Sequence, residues 1–503
     1  MHYSLNNLRH SLRHFFIGKA ATAITAMLLL VLLARWLPKE DYAVYISLQA
    51  LLVIVNYLTS FGVSQSLLRY LPELRVANNN LPMYRMVAIS LLMRSLAIGL
   101  GFLVVWASLP WLGDWFNLAR WLDWVSVYLV VGWLRLSGQF LGRIMETLLW
   151  QKQSQYSQAV GSFIRLVAVA LAATYGTVDI PTLFVIELAS EGLIVMLLAL
   201  GYVRQWRTDP RRNEGDPDWW RTHRERSRRY ALWSYLSSLA SVLASSAPYR
   251  LIAAKMLLPE SVALYGFASG LMDMLNRYTP TRLMQGTLRS ILVARYTASG
   301  SGGDLIDKLS LNFRLNALLL ALLAALTLCA SGPALVWLTE GKYGEADVLL
   351  AALIGVLILD VLRAQYELLA EVVERNQWAL AGNIILGVGV IAAFFTTPIW
   401  GTWGLILAAG MGEALALTVM AAGLKPYGAG RILEGRIVVL VLALLAAGWI
   451  GKSIDVGGAG GFFLSLVVTL SLSGALLLLL PPFSRNEWGA MFRLVAGRRG
   501  VAG

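Results

Sequence analysis

Long apolar runs without a polar stripe recur along the whole chain. Residues 20–33, 317–328 and 464–480 are hydrophobic around the full helical turn, so a helix built from them has no face for water and matches lipid. Runs of this kind predict membrane spans at roughly 14–34, 43–63, 86–110, 122–142, 157–176, 182–203, 230–254, 262–283, 315–336, 347–366, 378–397, 403–424, 437–450 and 460–481. The expected fold is therefore an all-α integral membrane protein of about 14 transmembrane helices. Arg9 and Arg13 precede the first run, which lacks a small-residue cleavage site and is followed by Arg35 and Pro38. It reads as a retained span and not as a cleaved signal.

Charge supplies the orientation. Only 14% of the 503 residues are charged, against about 25% in soluble domains, and 57% are hydrophobic. With the N-terminus in the cytoplasm, the 42 Lys and Arg divide as 28 in inner loops and termini, 6 in outer loops and 8 within spans. That asymmetry predicts cytoplasmic N- and C-termini. The formal net charge of +13 is thus a matter of topology, and nucleic acid is not an expected partner. Segment 204–229 carries nine Arg and five acidic residues with Trp206, Trp219 and Trp220 interleaved, a composition suited to anionic lipid headgroups beside a span.

A shift of 220 residues aligns Ala43 with Ala263, Tyr45 with Tyr265, Leu51 with Leu271 and Asn56 with Asn276. It also aligns Thr59 with Thr279, Gln65 with Gln285, Leu68 with Leu288 and Arg69 with Arg289. Six spans separate the copies, so two parallel six-helix bundles are expected. The corresponding domains are an N-terminal bundle at 1–203, a basic cytoplasmic linker at 204–229 and a C-terminal bundle at 230–424. An additional helix pair at 437–481 and a cytoplasmic tail at 482–503 complete the chain.

The opening third contains Gly18-Lys19, then Leu33-Ala34-Arg35-Trp36-Leu37-Pro38, Asp41-Tyr42-Ala43-Val44-Tyr45, Phe61-Gly62 and Leu68-Arg69-Tyr70-Leu71-Pro72-Glu73. These residues resemble the start of bacterial polysaccharide exporters of the oligosaccharidyl-lipid flippase type. The superfamily also holds multidrug and toxin extrusion proteins and peptidoglycan lipid flippases. The likeness covers about 75 residues, and Ala43 stands where such exporters often carry Gly. The resemblance implies a V-shaped pair of bundles in the bacterial inner membrane, alternating between inward-open and outward-open states. Its implied cargo is an undecaprenyl-pyrophosphate-linked oligosaccharide for surface polysaccharide such as O-antigen, capsule or exopolysaccharide, with a polymerase and a chain-length regulator as further partners.

Ionisable side chains inside spans are costly and mark candidate sites once local pairing is set aside. Asp273 with Arg277, and Asp360 with Arg363, can neutralise each other along one helix. Arg94, Arg135, Arg165 and Arg250 have no acidic residue three or four positions away, and a guanidinium fork matches phosphate oxygens. These four are the candidate pyrophosphate-binding residues, with pairing to Glu191 the alternative for Arg165 and snorkelling the alternative for Arg250. Glu191, which shares a helix face with Glu187, and Glu413, with Asp273 beside them, are the candidates for ion coupling. Lys19 and Arg35 read as interfacial anchors.

No enzyme is expected. Cys329 is the only cysteine and lies in an apolar run, and His2, His10, His14 and His223 lack metal-binding spacing. Gly300-Ser301-Gly302-Gly303 lacks the Lys-Ser/Thr of a phosphate loop, so no cofactor is expected. A cation-coupled multidrug exporter of the same superfamily is the runner-up. A membrane polysaccharide polymerase or glycosyltransferase, or a structural scaffold, is a poorer match.

Overall fold

A computed structural model describes residues 5–115, 119–176, 178–279, 282, 292, 302–454, 458–484 and 487. Gln285, Leu288 and Arg289 of the repeat, Gly300, Ser301, His2 and most of the C-terminal tail lie outside the described residues. Among the described residues there are seventeen α-helices and no strand. The first eleven are α1 (Leu5–Trp36), α2 (Lys39–Leu58), α3 (Val63–Val76), α4 (Asn80–Ala107), α5 (Leu109–Trp115), α6 (Leu122–Thr147), α7 (Gln151–Tyr175), α8 (Ile180–Thr208), α9 (Trp219–Val242), α10 (Ala247–Met256) and α11 (Pro259–Tyr278). Then come α12 (Gly302–Thr339), α13 (Ala346–Val372), α14 (Asn376–Trp400), α15 (Thr402–Gly423), α16 (Gly435–Ile454) and α17 (Gly458–Leu479).

Eleven of these helices are long and apolar enough to cross a bilayer by length and composition. The sequence expects fourteen spans, and the remaining three fall on segments that are broken or rich in charge. The expected span 230–254 is two helices, because α9 ends in a serine-rich turn at 243–246 and Pro248 restarts the chain in the first turn of α10. The expected spans 262–283 and 347–366 fall on α11, which carries Glu260, Asp273 and Arg277, and on α13, which carries Asp347, Asp360, Arg363 and Glu367.

The exposure pattern of α4 shows which solvent the fold is built for. Leu92, Leu96, Leu100 and Leu103 form an exposed leucine stripe, while Ser90, Arg94, Ile98 and Phe102 are buried on the opposite face. In water that arrangement is inside out. In hydrocarbon it is correct, since apolar side chains face the solvent and polar ones find partners inside the bundle.

The chain divides into two compact units, residues 1–270 with 390–405, and residues 271–389 with 406–503. In the first, α1 packs along α7, α6 and α7 both pack on α8, and α2 contacts α4, α9 and α10. Helix α3 lies in what the sequence reads as a loop. It is amphipathic, burying Leu67, Tyr70, Leu71 and Leu74 against Met83, Val87, Phe140, Ile144 and Trp219 while exposing Leu68 and Arg69. Its entry depends on Gly62, whose φ of +68° suits glycine and whose absent Cβ would stand 2.0 Å from the Ala231 carbonyl oxygen. The basic segment 204–229 is mostly helical, with a turn between α8 and α9 tied to the start of α4. Tyr84 Oη donates to Asp209 at 2.8 Å, and the Leu81 amide donates to the Glu214 carbonyl at 2.8 Å.

In the second unit the 38-residue α12 is the spine, contacted by α13, α16 and α17. Ser465 Oγ donates to the Gly451 carbonyl at 2.7 Å, and Lys452 pairs with the buried Asp347. Arg314 on α12 holds the chain after α17 through Glu487 at 2.5 Å and the Pro482 carbonyl at 3.2 Å. The amide and hydroxyl of Ser484 and the Arg314 guanidinium together hold the Glu487 carboxyl below its usual range, against the opposing effect of its partial burial.

Candidate functional site

The intramembrane charges are collected into networks, one in each unit. In the first, Arg135 projects from α6, Arg165 from α7, and Glu187 and Glu191 from successive turns of α8. Their helices approach closely because Gly161 on α7 leaves room for Ile194 of α8, whose side chain lies 2.1 Å from where a Cβ would stand. Arg135 Nε donates to Glu191 Oε1 at 2.8 Å, and its Nη2 lies 3.0 Å from Glu187 Oε1. Arg165 Nη1 reaches Glu191 Oε1 at 3.1 Å and Glu187 Oε1 at 3.5 Å.

Tyr45 on α2 completes the cluster by donating its phenol to Glu187 Oε1 at 2.8 Å, and Gln49 donates to Tyr45 Oη at 2.8 Å. Tyr128 packs beside it, with Arg135 Nη1 3.5 Å from its hydroxyl and its ring 4.5 Å from that of Phe184. Two guanidinium groups face two carboxylates, so the network is charge-balanced. Among the described residues, Glu187 Oε2, Arg165 Nε and Arg135 Nη2 find no hydrogen-bond partner.

Arg94 is held differently. It is 3% exposed, and Nη1 donates to Thr59 Oγ1 at 2.9 Å while Nη2 donates to the Asn56 carbonyl at 2.8 Å and to Asn56 Oδ1 at 2.5 Å. All of these acceptors are neutral. No carboxylate among the described residues pairs with it, and its Nε has no partner. Arg250 on α10 is also buried, with Nε donating to Ser269 Oγ at 2.9 Å, so its side chain lies within the protein.

In the second unit Arg363 on α13 is the hub. Nε donates to Glu413 Oε2 on α15 at 2.9 Å, Nη1 reaches Asn383 Oδ1 on α14 at 3.1 Å, and Asp360 and Glu367 pair with it along its own helix. Arg282 adds a second guanidinium, 3.0 Å from Asp360 Oδ2, and Asn276 on α11 bridges both through Arg282 Nε at 3.4 Å and Asp360 Oδ2 at 3.3 Å. Among the described residues, two guanidinium groups here face three carboxylates. Asp273 is half-buried on α11, and Arg277 one turn later is exposed.

Thus Arg135, Arg165 and Glu191 are brought together, Arg94 and Arg250 stand at separate positions, and Glu413 has its basic partner fifty residues away on another helix. Sequence reasoning missed Tyr45, Gln49, Asn56 and Thr59 as functional neighbours. A signal was present: Tyr45, Asn56 and Thr59 are among the positions repeated 220 residues later, and Asn56, Thr59 and Asn276 all bind arginine here.

Residues 14–285 match the model of the polysaccharide biosynthesis protein family. The chain belongs to that family. The matched stretch contains Arg94 and the whole Arg135–Arg165–Glu187–Glu191 cluster, whereas Arg363 and Glu413 lie beyond it. Among curated proteins, none matches the sequence. Solved structures that it resembles include the lipid II flippase MurJ in an inward closed conformation, at 12% identity over 92% of this chain and 98% of that one, with a TM-score of 0.61. A multidrug resistance MATE family transporter in its inward-facing conformation is similar at 16% identity over 82% and 94%, with a TM-score of 0.59. A MOP superfamily transporter from Pyrococcus furiosus follows at 16% identity over 84% and 95%, with a TM-score of 0.53. The fold is therefore shared with these multi-pass membrane proteins.

Proposed function

We propose that this protein is a flippase for an undecaprenyl-pyrophosphate-linked oligosaccharide, working by alternating access in the bacterial inner membrane with both termini in the cytoplasm. The observation that carries this reading is Arg94. A permanently charged group buried in a lipid-facing helix, satisfied among the described residues only by neutral oxygens, leaves a positive charge for an anion to balance. A pyrophosphate supplies that anion, and its polyprenyl tail can remain in lipid while the glycan headgroup crosses. Arg135, Arg165 and Arg250 are further headgroup contacts in this reading. Arg135 and Arg165 reach phosphate by exchanging Glu187 and Glu191 for phosphate oxygens. Family membership supports the polysaccharide role, and a polymerase and chain-length regulator are the corresponding downstream partners.

A multidrug exporter is the second reading, favoured by the MATE likeness and by the network around Arg363, where carboxylates outnumber guanidinium groups among the described residues. Deletion of the chain in its host distinguishes the two. The flippase reading expects lipid-linked repeat units to accumulate in the inner leaflet, with less surface polysaccharide and unchanged drug sensitivity. Normal surface polysaccharide with raised dye and drug sensitivity rejects it in favour of drug export.

A further inference from the structure

A groove of about 490 Å³ opens between α3 and α9 in the first unit, lined by Arg69, Tyr70, Arg226, Arg229, Tyr230 and Trp233. It is separate from the intramembrane networks. Its floor is Tyr70, 1% exposed, with the Tyr230 ring 5.8 Å away, and the guanidinium carbons of Arg226 and Arg69 stand 5.6 and 6.0 Å from the Tyr70 ring centre.

The groove has excess positive charge. Glu73 is shared between Arg69 at 3.2 Å and Arg226 at 3.4 Å, and Glu225, which also lines it, pairs instead with Arg228 at 3.5 Å. Arg229 is exposed and makes no ion pair among the described residues. Along α9 the surface changes from Arg221, Arg224, Arg226, Arg228 and Arg229 to exposed Leu232, Trp233 and Leu236 within about one turn. That switch marks a water–lipid boundary, and Tyr230 and Trp233 sit at it as interfacial aromatic residues do. A basic pocket with aromatic walls, opening on one side to water and on the other to an apolar helix surface, complements a phosphate group whose attached chains lie along that surface.

We propose that this groove is a binding site for the phosphodiester headgroup of an anionic membrane phospholipid. The phosphate lies between Arg69 and Arg229, with its glycerol against Tyr230 and Trp233 and its acyl chains along Leu232 and Leu236. The bound lipid fastens the amphipathic α3 to α9, which Gln65 Nε2 also bonds further along at Ser238 Oγ, 2.5 Å away. This site is independent of which cargo the protein carries.

The test uses the purified full-length protein in neutral detergent, with native mass spectrometry counting bound lipid as phosphatidylglycerol or phosphatidylcholine is added. One phosphatidylglycerol per chain should bind tightly and phosphatidylcholine weakly. Each groove arginine should contribute about fivefold, so Arg69→Ala with Arg229→Ala should weaken phosphatidylglycerol by about 25-fold. Arg221→Ala, a highly exposed arginine of the same segment outside the groove, should leave it unchanged. Arg229→Ala alone, which breaks no ion pair, keeps the test valid if the double variant melts early without lipid. Equal binding of both lipids, an equal loss with Arg221→Ala, or no loss with Arg229→Ala overturns the proposal. So does displacement of phosphatidylglycerol by undecaprenyl pyrophosphate at lower concentration, which would make the groove a cargo site.

Discussion

Arg135 donates from Nε to Glu191 at 2.8 Å, joining the fourth and sixth expected spans of the first bundle. Arg363 makes the same Nε bond to Glu413 at 2.9 Å, joining the tenth and twelfth. The two bonds fall at corresponding places in the six-span repeat that the sequence predicts, each joining an arginine of the expected fourth span to a glutamate of the expected sixth. The surroundings differ among the described residues, since two carboxylates serve two guanidinium groups around Arg135 and three serve two around Arg363.

Removing one member of the balanced cluster strands charge inside the bundle. Arg135→Ala should cost about 3–5 kcal/mol of stability, as loss of one partner of a buried pair does, and should be read as a lower melting midpoint in detergent. Adding Glu191→Ala should recover part of that loss. A double variant less stable than the sum of the two single ones would contradict the pairing.

The unequal charge counts make a second prediction. Glu191→Gln leaves one carboxylate for Arg135 and Arg165, whereas Glu413→Gln leaves two for Arg363 and Arg282. Glu191→Gln should therefore destabilise the protein more than Glu413→Gln. In proteoliposomes with an imposed pH gradient, Glu413→Gln should make transport insensitive to that gradient. Gradient-driven transport surviving both replacements would exclude these carboxylates from coupling.

Gly62 is constrained by both backbone angle and space. Gly62→Ala must hold a φ of +68° and push on the Ala231 carbonyl, so it should cost more than about 1 kcal/mol and loosen α3. Faster hydrogen exchange across Val63–Val76 with little change in α12 checks this. Uniform protection would show that the contact relaxes freely.

Orientation is tested with reporters. One fused after Arg212 should be cytoplasmic and one near Lys342 external, as the 28 to 6 distribution of loop charge requires. Both on one side would change the number of spans between them.

Most helices were legible because lipid selects for apolarity around the whole turn, which a window of about twenty residues detects. The exceptions are physical too. Helix α3 is amphipathic and reads as loop by hydropathy, and the seventh expected span contains a serine-rich stretch whose break appears only once Pro248 begins a new helix. The charged residues Arg94, Arg135, Glu191 and Glu413 could be singled out on sequence grounds, but apart from the Arg165–Glu191 pairing across adjacent spans their partners could not. Local spacing exposes pairs three or four residues apart, such as Asp360 with Arg363, whereas Arg135 to Glu191 spans 56 residues and Arg363 to Glu413 spans 50. Asn56 and Thr59 are neutral, so nothing in the rules for intramembrane charge pointed to them as the grip on Arg94.

The central claim is that Arg94 keeps a positive charge available for a pyrophosphate. It is tested by measuring the flipping of an undecaprenyl-pyrophosphate-linked oligosaccharide in proteoliposomes holding equal amounts of folded wild type, Arg94→Lys and Arg94→Ala. Arg94→Ala should reduce flipping at least about tenfold, corresponding to loss of roughly 1.4 kcal/mol, while Arg94→Lys should retain an intermediate rate because it keeps the charge and loses the fork. Flipping by Arg94→Ala at the wild-type rate would contradict the account.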